Sequence, residues 1–207
     1  MNRRPEVTGL GCVIGLVTER KSSELRIHSN TSENPDIVSR IIEIIRTLEL
    51  VPRSFVFSSI QILKSASVRR HKDANDGNSY IFTLGDYTGG ALVVGNDPVV
   101  TFKSPYEFDG QCEHFVAPFE GKRWSVILYP HGRLNEASAV DLQLLDSLGF
   151  TVPLPSQPKD VLWEDAPTSS QKRDLVHRKC SASLSEFYLA VRPFGKTTHH
   201  WYCGRTR

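Results

Sequence analysis

The sequence predicts a mainly β domain with flanking helices, an α+β protein whose strands form a sandwich or barrel. Between residues 54 and 129, six short runs rich in β-branched and aromatic residues are separated by Gly, Asn, Asp and Pro. Amphipathic helical patterns near 36–50 and 136–148 flank these runs and would pack on the outside. The 207 residues, 39% hydrophobic and 23% charged, suffice for one well-buried domain.

The first element is an apolar stretch, GLGCVIGLV, that follows basic residues in the manner of a secretory signal. No small-residue cleavage site comes after it, and the polar TERKSSE does. We therefore expect a buried strand with a turn after it. The sequence contains no run of eighteen apolar residues and therefore predicts no membrane-spanning helix. Four scattered cysteines favour a reduced, intracellular compartment over a disulfide framework.

Two helices are predicted from capping residues and apolar spacing. The first has Asn34 as N-cap and ends before Pro52. Its apolar face consists of Ile37, Ile41, Ile44, Ile45 and Leu48. The second covers Glu136–Leu148, with Asn135 as N-cap and Gly149 as the stop. Its apolar face consists of Ala139, Leu142, Leu145 and Leu148.

The strands between the helices include a hairpin, predicted where VVGNDPVVTF turns at Gly95–Pro98. We predict one domain over 1–150, followed over 151–207 by a Pro-rich linker and a basic extension. Residues 168–207 hold eight basic and two acidic residues, although the whole chain carries only +2. Such a tail could attract nucleic acid or be an ordinary solvated surface. The tail also contains two His-x-x-Cys pairs that could bind a structural Zn²⁺ or could be isolated side chains without a metal. These residues are His177, Cys180, His200 and Cys203.

A polar pair stands where an apolar run gives way to a loop, in SASVRRHKDANDG. If the strand continues to Asp73, His71 and Asp73 project to the same side. Two histidines and one carboxylate with open positions suit non-haem Fe(II), and His114, beyond three intervening strands, could be the third ligand. Alone, a His-x-Asp pair arises often by chance.

A second polar pair, Arg123 and Ser125, opens the last strand and also shares one face. A guanidinium binds a carboxylate through two hydrogen bonds, and a neighbouring hydroxyl adds another. An arginine inside a barrel is costly without an anionic partner. A dicarboxylic cosubstrate would provide that anion.

The ordered residues of these two pairs and His114 resemble the Fe(II)/2-oxoglutarate-dependent dioxygenases. The fuller pattern HKDANDGNSYIFTLGDYTGGALVV, followed by DGQCEHFVAPFEGKRWSVILY, is similar to the TET/JBP branch. It includes Gly85-Asp86-Tyr87 and Gly89-Gly90 and covers roughly residues 55–130. The resemblance implies a double-stranded β-helix (jelly roll, cupin-like) and oxidation of the methyl group of 5-methylcytosine or thymine.

By position, the resemblance implies that His71, Asp73 and His114 hold Fe(II). It implies that Arg123 grips 2-oxoglutarate, assisted by Ser125, with O2 as the oxidant and succinate and CO2 as coproducts. It also brings a loop near the substrate, where turn chemistry or a solvated surface is the alternative. The candidate substrate residues on this loop are Asn75, Asp76 and Asn78, and Arg70, before the metal pair, could contact a phosphate beside the active site.

Three functions stay open. The first is a dioxygenase acting on a methylated base in DNA, which needs a flipped nucleotide and cationic groups beside the pocket. The second is a 2-oxoglutarate dioxygenase that hydroxylates a protein side chain or a small molecule, because a net charge of +2 is low for a DNA binder. The third is a catalytically inactive jelly-roll binding domain. We expect DNA as partner, no membrane, and an intracellular location, nuclear if the source is eukaryotic.

Overall fold

The computed structural model describes residues 7–154. This part contains two antiparallel sheets and a few helices. The strands are β1 (Val7–Thr18), β2 (Leu25–Ile27), β3 (Ser59–Val68), β4 (Asn78–Gly89), β5 (Leu92–Val94), β6 (Asp97–Val99), β7 (Tyr106–Asp109), β8 (His114–Val116) and β9 (Phe119–Tyr129). The helices are α1 (Ser29–Ser32), α2 (Pro35–Thr47), α3 (Ala139–Ser147) and a 3-10 helix (Leu134–Glu136). The predicted linker and extension over 151–207 lie outside the described residues from 155 onward. The same holds for the predicted zinc ligands His177, Cys180, His200 and Cys203.

The two sheets have the topology of a jelly roll. The larger sheet has the order β2-β1-β3-β9-β4-β7, and the smaller one has the order β6-β5-β8. A backbone bridge between His71 and His114 adds the segment after β3 to the outer edge of β8. From β3 onward, the chain passes back and forth between the two sheets, except at the hairpin of β5 and β6, which lies within the smaller sheet. The prediction of a mainly β double-stranded β-helix with flanking helices is confirmed.

The main hydrophobic core lies between one face of the larger sheet and the helices α2 and α3. Side chains alternate across a strand, so every second residue of β3 and β9 enters this core and the others face the smaller sheet. The buried sheet residues on the helix side include Ile14, Leu16, Ile60, Ile62, Phe82, Val126 and Leu128. The predicted N-terminal strand and turn are confirmed as β1 and the hairpin to β2.

Helix α2 buries a face that is rotated from the predicted one. Val38 and Ile42 are buried, whereas Ile37 and Ile44 are only partly buried. Asn34 occupies the predicted N-cap position, but its side chain makes no capping hydrogen bond. No helix within residues 7–154 is both long enough and apolar enough to cross a bilayer.

Helix α3 begins later than predicted. Asn135 was wrong as the N-cap, because it lies within the separate 3-10 helix. The cap is Ser138, whose extended backbone lets Oγ accept a hydrogen bond from the backbone N–H of Asp141 at 3.1 Å. Gly149 follows the helix with a φ of +96°, the left-handed conformation of a helix stop, as predicted.

The predicted hairpin at Gly95 is confirmed. Val94 and Asp97 pair directly, which leaves Gly95 and Asn96 as a two-residue turn between β5 and β6. Strand β6 ends at Val99, so the predicted run VVTF is a strand only at its start.

Replacing Ser138 by Ala should lower the unfolding free energy by about 1 kcal/mol, the usual cost of a lost N-cap. The matched control is Asn135→Ala, which should change it by less than about 0.5 kcal/mol because the residue is exposed and caps no helix. Urea denaturation of the two variants measures both values. Equal losses would contradict the assignment of the cap.

Candidate metal and cosubstrate site

The two histidines of the candidate triad meet through the backbone. The N–H of His71 donates to the carbonyl of His114 at 3.0 Å, and the N–H of His114 donates back at 2.9 Å. Strand β3 ends at Val68, so the expectation that it continues to Asp73 was wrong. The chain instead crosses to the smaller sheet before His71. This crossing places the two imidazoles opposite each other, with ring centroids 4.3 Å apart.

Asp73 completes the cluster from an extended segment. Its backbone N–H donates to the carbonyl of Gly110 at 2.7 Å. Its carboxylate lies between the imidazoles, with Oδ1 and Oδ2 each 3.6 Å from one histidine Nε2. A Cβ at Gly110 would lie 3.1 Å from the Cβ of Asp73, so a larger residue would press on this carboxylate. One ligand atom from each of the three residues lies within 4.8 Å of the others.

Both imidazoles are held in the tautomer that binds metals. Nδ1 of His71 lies 2.8 Å from the carbonyl oxygen of Arg69, and Nδ1 of His114 lies 2.9 Å from that of Cys112. Because a carbonyl only accepts, each Nδ1 carries a proton, and the neutral imidazole then presents the lone pair of Nε2 to a metal. Burial is the largest cause that lowers the pKa of His114, which favours its neutral form.

A narrow cavity of about 50 Å³ adjoins the triad. The triad lies in its wall, and the ring of Phe108 packs edge-on against His114 at 5.1 Å. The apolar lining residues are Leu63, Val68, Ile81, Leu92, Phe108, Val116 and Ile127. Two imidazoles and one carboxylate on one side of such a cavity can hold Fe(II) and leave positions open for other ligands.

Arg123 is buried with an unused hydrogen-bonding edge. Only 1% of its surface is exposed. Its Nη1 donates to Ser125 Oγ, while Nε and Nη2 have no partner within the described residues. Tyr87 and Phe119 each have a ring centroid 5.6 Å from the guanidinium carbon. Burial is the largest cause that lowers the pKa of Arg123.

The unused edge fits a carboxylate. Nε–H and one Nη2–H of an arginine point the same way and together bind both oxygens of a carboxylate. Ser125 contacts the guanidinium of Arg123 and also lines the cavity of the triad. The residues therefore fit a 2-oxo dicarboxylic acid such as 2-oxoglutarate, of which Arg123 and Ser125 would hold one carboxylate.

Gly90 packs directly on this arginine. A Cβ at Gly90 would lie 3.0 Å from both Cδ and Nε of Arg123, and φ is +71°. Any side chain at this position would displace the edge that is left for a carboxylate. The close approach accounts for the second glycine of the pair Gly89-Gly90.

Arg70, a predicted substrate residue, is engaged within the protein. Its guanidinium forms an ion pair with Glu113 at 2.9 Å and lies over the ring of Phe115 at 4.6 Å. Its neighbours Arg69 and Lys72 are exposed beside the triad. The positive charge available to a ligand at this rim therefore comes from Arg69 and Lys72 more than from Arg70.

The other three predicted substrate residues differ in burial and in hydrogen-bond partners. Asn75 is half-buried and donates through Nδ2 to Ser79 Oγ at 3.0 Å. Asp76 is exposed on the loop. Asn78 is exposed and donates to Glu107 at 3.0 Å. Because Asn78 and Ile81 have opposite parity on β4 and Ile81 lines the cavity, the structure does not bring Asn78 to the triad.

Sequence reasoning missed the two aromatic rings that flank Arg123. Tyr87 belongs to the quoted motif, but no spacing along the chain connects it with Arg123. The connection is the register of β4 and β9, in which Gly85 pairs with Arg123 and Tyr87 pairs with Gly121. Only the pairing of strands distant in sequence shows this contact.

No protein-family model and no curated protein sequence match the chain. Among solved structures, the chain is similar to NgTET1 in complex with 5mC DNA, at 19% identity over 62% of each chain with a TM-score of 0.42. It is similar to an oxidoreductase of the 2OG-Fe(II) oxygenase family from Burkholderia pseudomallei, at 16% identity over 58% of this chain and 72% of that one, with a TM-score of 0.33. It is also similar to the Escherichia coli ribosomal oxygenase YcfD, at 13% identity over 77% of this chain and 52% of that one, with a TM-score of 0.30.

The chain thus spans less than two thirds of the length of NgTET1 and of YcfD. Identities below 20% and TM-scores below 0.5 assign neither a reaction nor a substrate. The chemistry of the site is therefore inferred from its own residues.

Replacing His71 by Ala should weaken the binding of Fe(II), or of Co(II) as an air-stable probe, by more than about a hundredfold. Loss of an outer partner of a metal ligand alone costs 10–100-fold, and loss of the ligand costs more. Anaerobic calorimetric titration measures the affinity and the stoichiometry. His131→Ala is the matched control, because this half-buried histidine lies outside the triad. One metal bound with parental affinity in His71→Ala would contradict the site.

Proposed function

We propose that this protein is an Fe(II)- and 2-oxoglutarate-dependent dioxygenase. The observation that carries the proposal is that one cavity is lined by two imidazoles whose Nε2 atoms face a carboxylate and by a serine that is hydrogen-bonded to the guanidinium of Arg123. Each part alone has a structural explanation. Together they supply ligands for a ferrous ion and a two-point anchor for a dicarboxylic cosubstrate.

The residues divide the work of this reaction. His71, Asp73 and His114 would hold Fe(II) from one side, and Arg123 would hold the distal carboxylate of 2-oxoglutarate beside Ser125. When bound, Fe(II) and 2-oxoglutarate supply the activation of O2 that oxidises a substrate C–H bond, with succinate and CO2 as coproducts. The apolar wall excludes water from the reacting atoms.

For the substrate we propose the methyl group of 5-methylcytosine, or of thymine, in DNA. The ordered motif between residues 71 and 129, which resembles the TET/JBP branch, supports this choice. The exposed cations Arg69 and Lys72 beside the triad also support it, because a flipped base needs its flanking phosphates held near the pocket.

A succinate-release assay on a panel of substrates tests both levels of the proposal. The panel consists of DNA with 5-methylcytosine, DNA with thymine as its only methylated base, RNA, and no substrate. We expect release above the no-substrate rate with methylated DNA, and product nucleosides heavier by one oxygen on mass spectrometry. Turnover of 2-oxoglutarate that no nucleic acid stimulates would leave a dioxygenase for a protein or small-molecule substrate. Absence of any turnover in metal-loaded protein would leave an inactive binding domain.

Replacing Arg123 by Gln should weaken 2-oxoglutarate binding by about 2–5 kcal/mol, the cost of truncating one partner of a buried charge pair. The affinity of Arg123→Lys for 2-oxoglutarate should fall between those of the parent and Arg123→Gln, because lysine keeps the charge but loses the bidentate geometry. Anaerobic calorimetry with Co(II)-loaded protein measures the affinity. Lys122→Ala is the control, because this exposed neighbour has the opposite parity on β9. Parental affinity in Arg123→Gln would remove Arg123 from the cosubstrate site.

A further inference from the structure

A groove of about 960 Å³ lies beside the metal cavity and is much larger than it. Gly11 and Val13 of β1 contribute to its floor, next to their strand partners Leu63 and Gln61 of β3. Gln61 and Leu63 also line the metal cavity. The two cavities therefore share these two residues of β3 in their walls and adjoin each other.

Gln61 is a polar side chain at the junction of the two cavities. Its strand neighbours on this face are Val13 on β1 and Ile127 on β9, both apolar. Its amide has no hydrogen-bond partner among residues 7–154 and can both donate and accept. Asn75, two residues after Asp73, is a second amide in the wall of the groove. The junction thus offers hydrogen bonds to a polar, planar group.

The groove extends along β1 to the turn between β1 and β2. From Val13 to Thr18 the strand covers roughly 16 Å at the usual rise per residue. Arg20 and Lys21 follow in the turn, line the groove, and are exposed. The positive end of the groove is therefore well separated from the metal cavity.

Arg20 and Lys21 have no ion-pair partner within the described part of the chain. The other two basic lining residues are neutralised, because Arg26 is paired with Glu19 and Arg133 is paired with a glutamate of the 3-10 helix. The lining contains four basic residues and one acidic residue. The uncompensated positive charge of the groove thus belongs to Arg20 and Lys21.

The turn that carries these two cations has a defined backbone. The N–H of Glu19 donates to the carbonyl of Glu24 at 2.7 Å, and the N–H of Ser23 donates to Glu19 at 2.8 Å. Arg133 ties the turn to the segment after β9 by donating to the carbonyl of Ser23 at 2.8 Å. These contacts fix the backbone from which the side chains of Arg20 and Lys21 extend.

We propose that the groove binds the phosphodiester chain that flanks the reacting nucleotide. Arg20 and Lys21 contact a phosphate at the far end, and Gln61 meets the nucleotide where the groove opens onto the triad. This inference rests on the proposed function and adds to it a path for the polymer. A polymer fits better than a small anion, because the positive charge and the metal cavity lie at separate places along the groove.

The double variant Arg20→Ala/Lys21→Ala tests the groove by the salt dependence of binding. Fluorescence anisotropy with the full chain, loaded with Co(II) and 2-oxoglutarate, measures the affinity for methylated DNA strands, DNA duplexes and RNA of one sequence. For B-DNA, each phosphate contact contributes about 0.9 to the slope of log K against log salt concentration. We expect the slope to fall by about 1–2 in the double variant. Arg53→Ala, an exposed cation outside the groove lining, should leave it unchanged.

A strand carrying a single neutral methylphosphonate, moved one position at a time, locates the contact. One position should weaken binding to the parent protein several-fold and have no further effect in the double variant. The DNA and RNA arms share the phosphodiester and differ in the sugar, so their comparison tells which polymer the groove accepts. Retained 2-oxoglutarate affinity in the double variant shows that its metal site is intact.

The outcomes separate the groove from the proposed function. If the parent oxidises methylated DNA and the double variant binds it with the parental salt slope, the groove is wrong and the function stands. If the parent binds no nucleic acid at any salt concentration, the groove and the proposed DNA substrate are both wrong, and the 2-oxoglutarate turnover of the parent alone decides whether it is a dioxygenase. An equal loss in Arg53→Ala would show a general effect of charge and would overturn the groove.

Discussion

The pair of backbone hydrogen bonds between His71 and His114 is the contact on which the site depends. It is the point where the chain, having left β3 in the larger sheet, joins the smaller sheet. It sets the two imidazoles opposite each other. Asp73 then enters between them because the same extended segment continues to its hydrogen bond with Gly110. The segment that carries the chain from the larger to the smaller sheet is thus the same segment that brings the three candidate metal ligands together.

The alternation of side chains on β3 and β9 separates stability from chemistry. Ile60 and Val126 belong to the core under the helices, whereas Gln61 and Ser125, one residue later or earlier, face the cavities. Successive residues of each strand therefore face the hydrophobic core and the cavities in turn. A shift of register by one position would exchange them, so packing of the core also fixes the orientation of the site.

The sequence was sufficient for those features that depend on residue chemistry or local spacing. The β runs, the hairpin at Gly95 and the ordered polar residues of the site are of this kind. The N-cap of α3 was misplaced because Asn135 and Ser138 are both residue types that cap helices well. Asn135 lies within a short 3-10 helix, which leaves Ser138 as the cap of α3. The crossing before His71, the contact of Tyr87 with Arg123 and the groove along β1 depend on pairings between distant strands. No local pattern encodes such pairings.

The buried guanidinium of Arg123 has a thermodynamic consequence for the whole domain. Two of its nitrogens, Nε and Nη2, have no hydrogen-bond partner within the described protein, and an unsatisfied buried donor costs roughly 1–3 kcal/mol or more. A carboxylate that bound to this edge would remove the penalty and stabilise the folded state. By mass action, a ligand at a hundred times its Kd adds about 2.7 kcal/mol to the free energy of unfolding. Under the proposed function, the melting temperature of this protein would therefore rise with the concentration of its dicarboxylic cosubstrate.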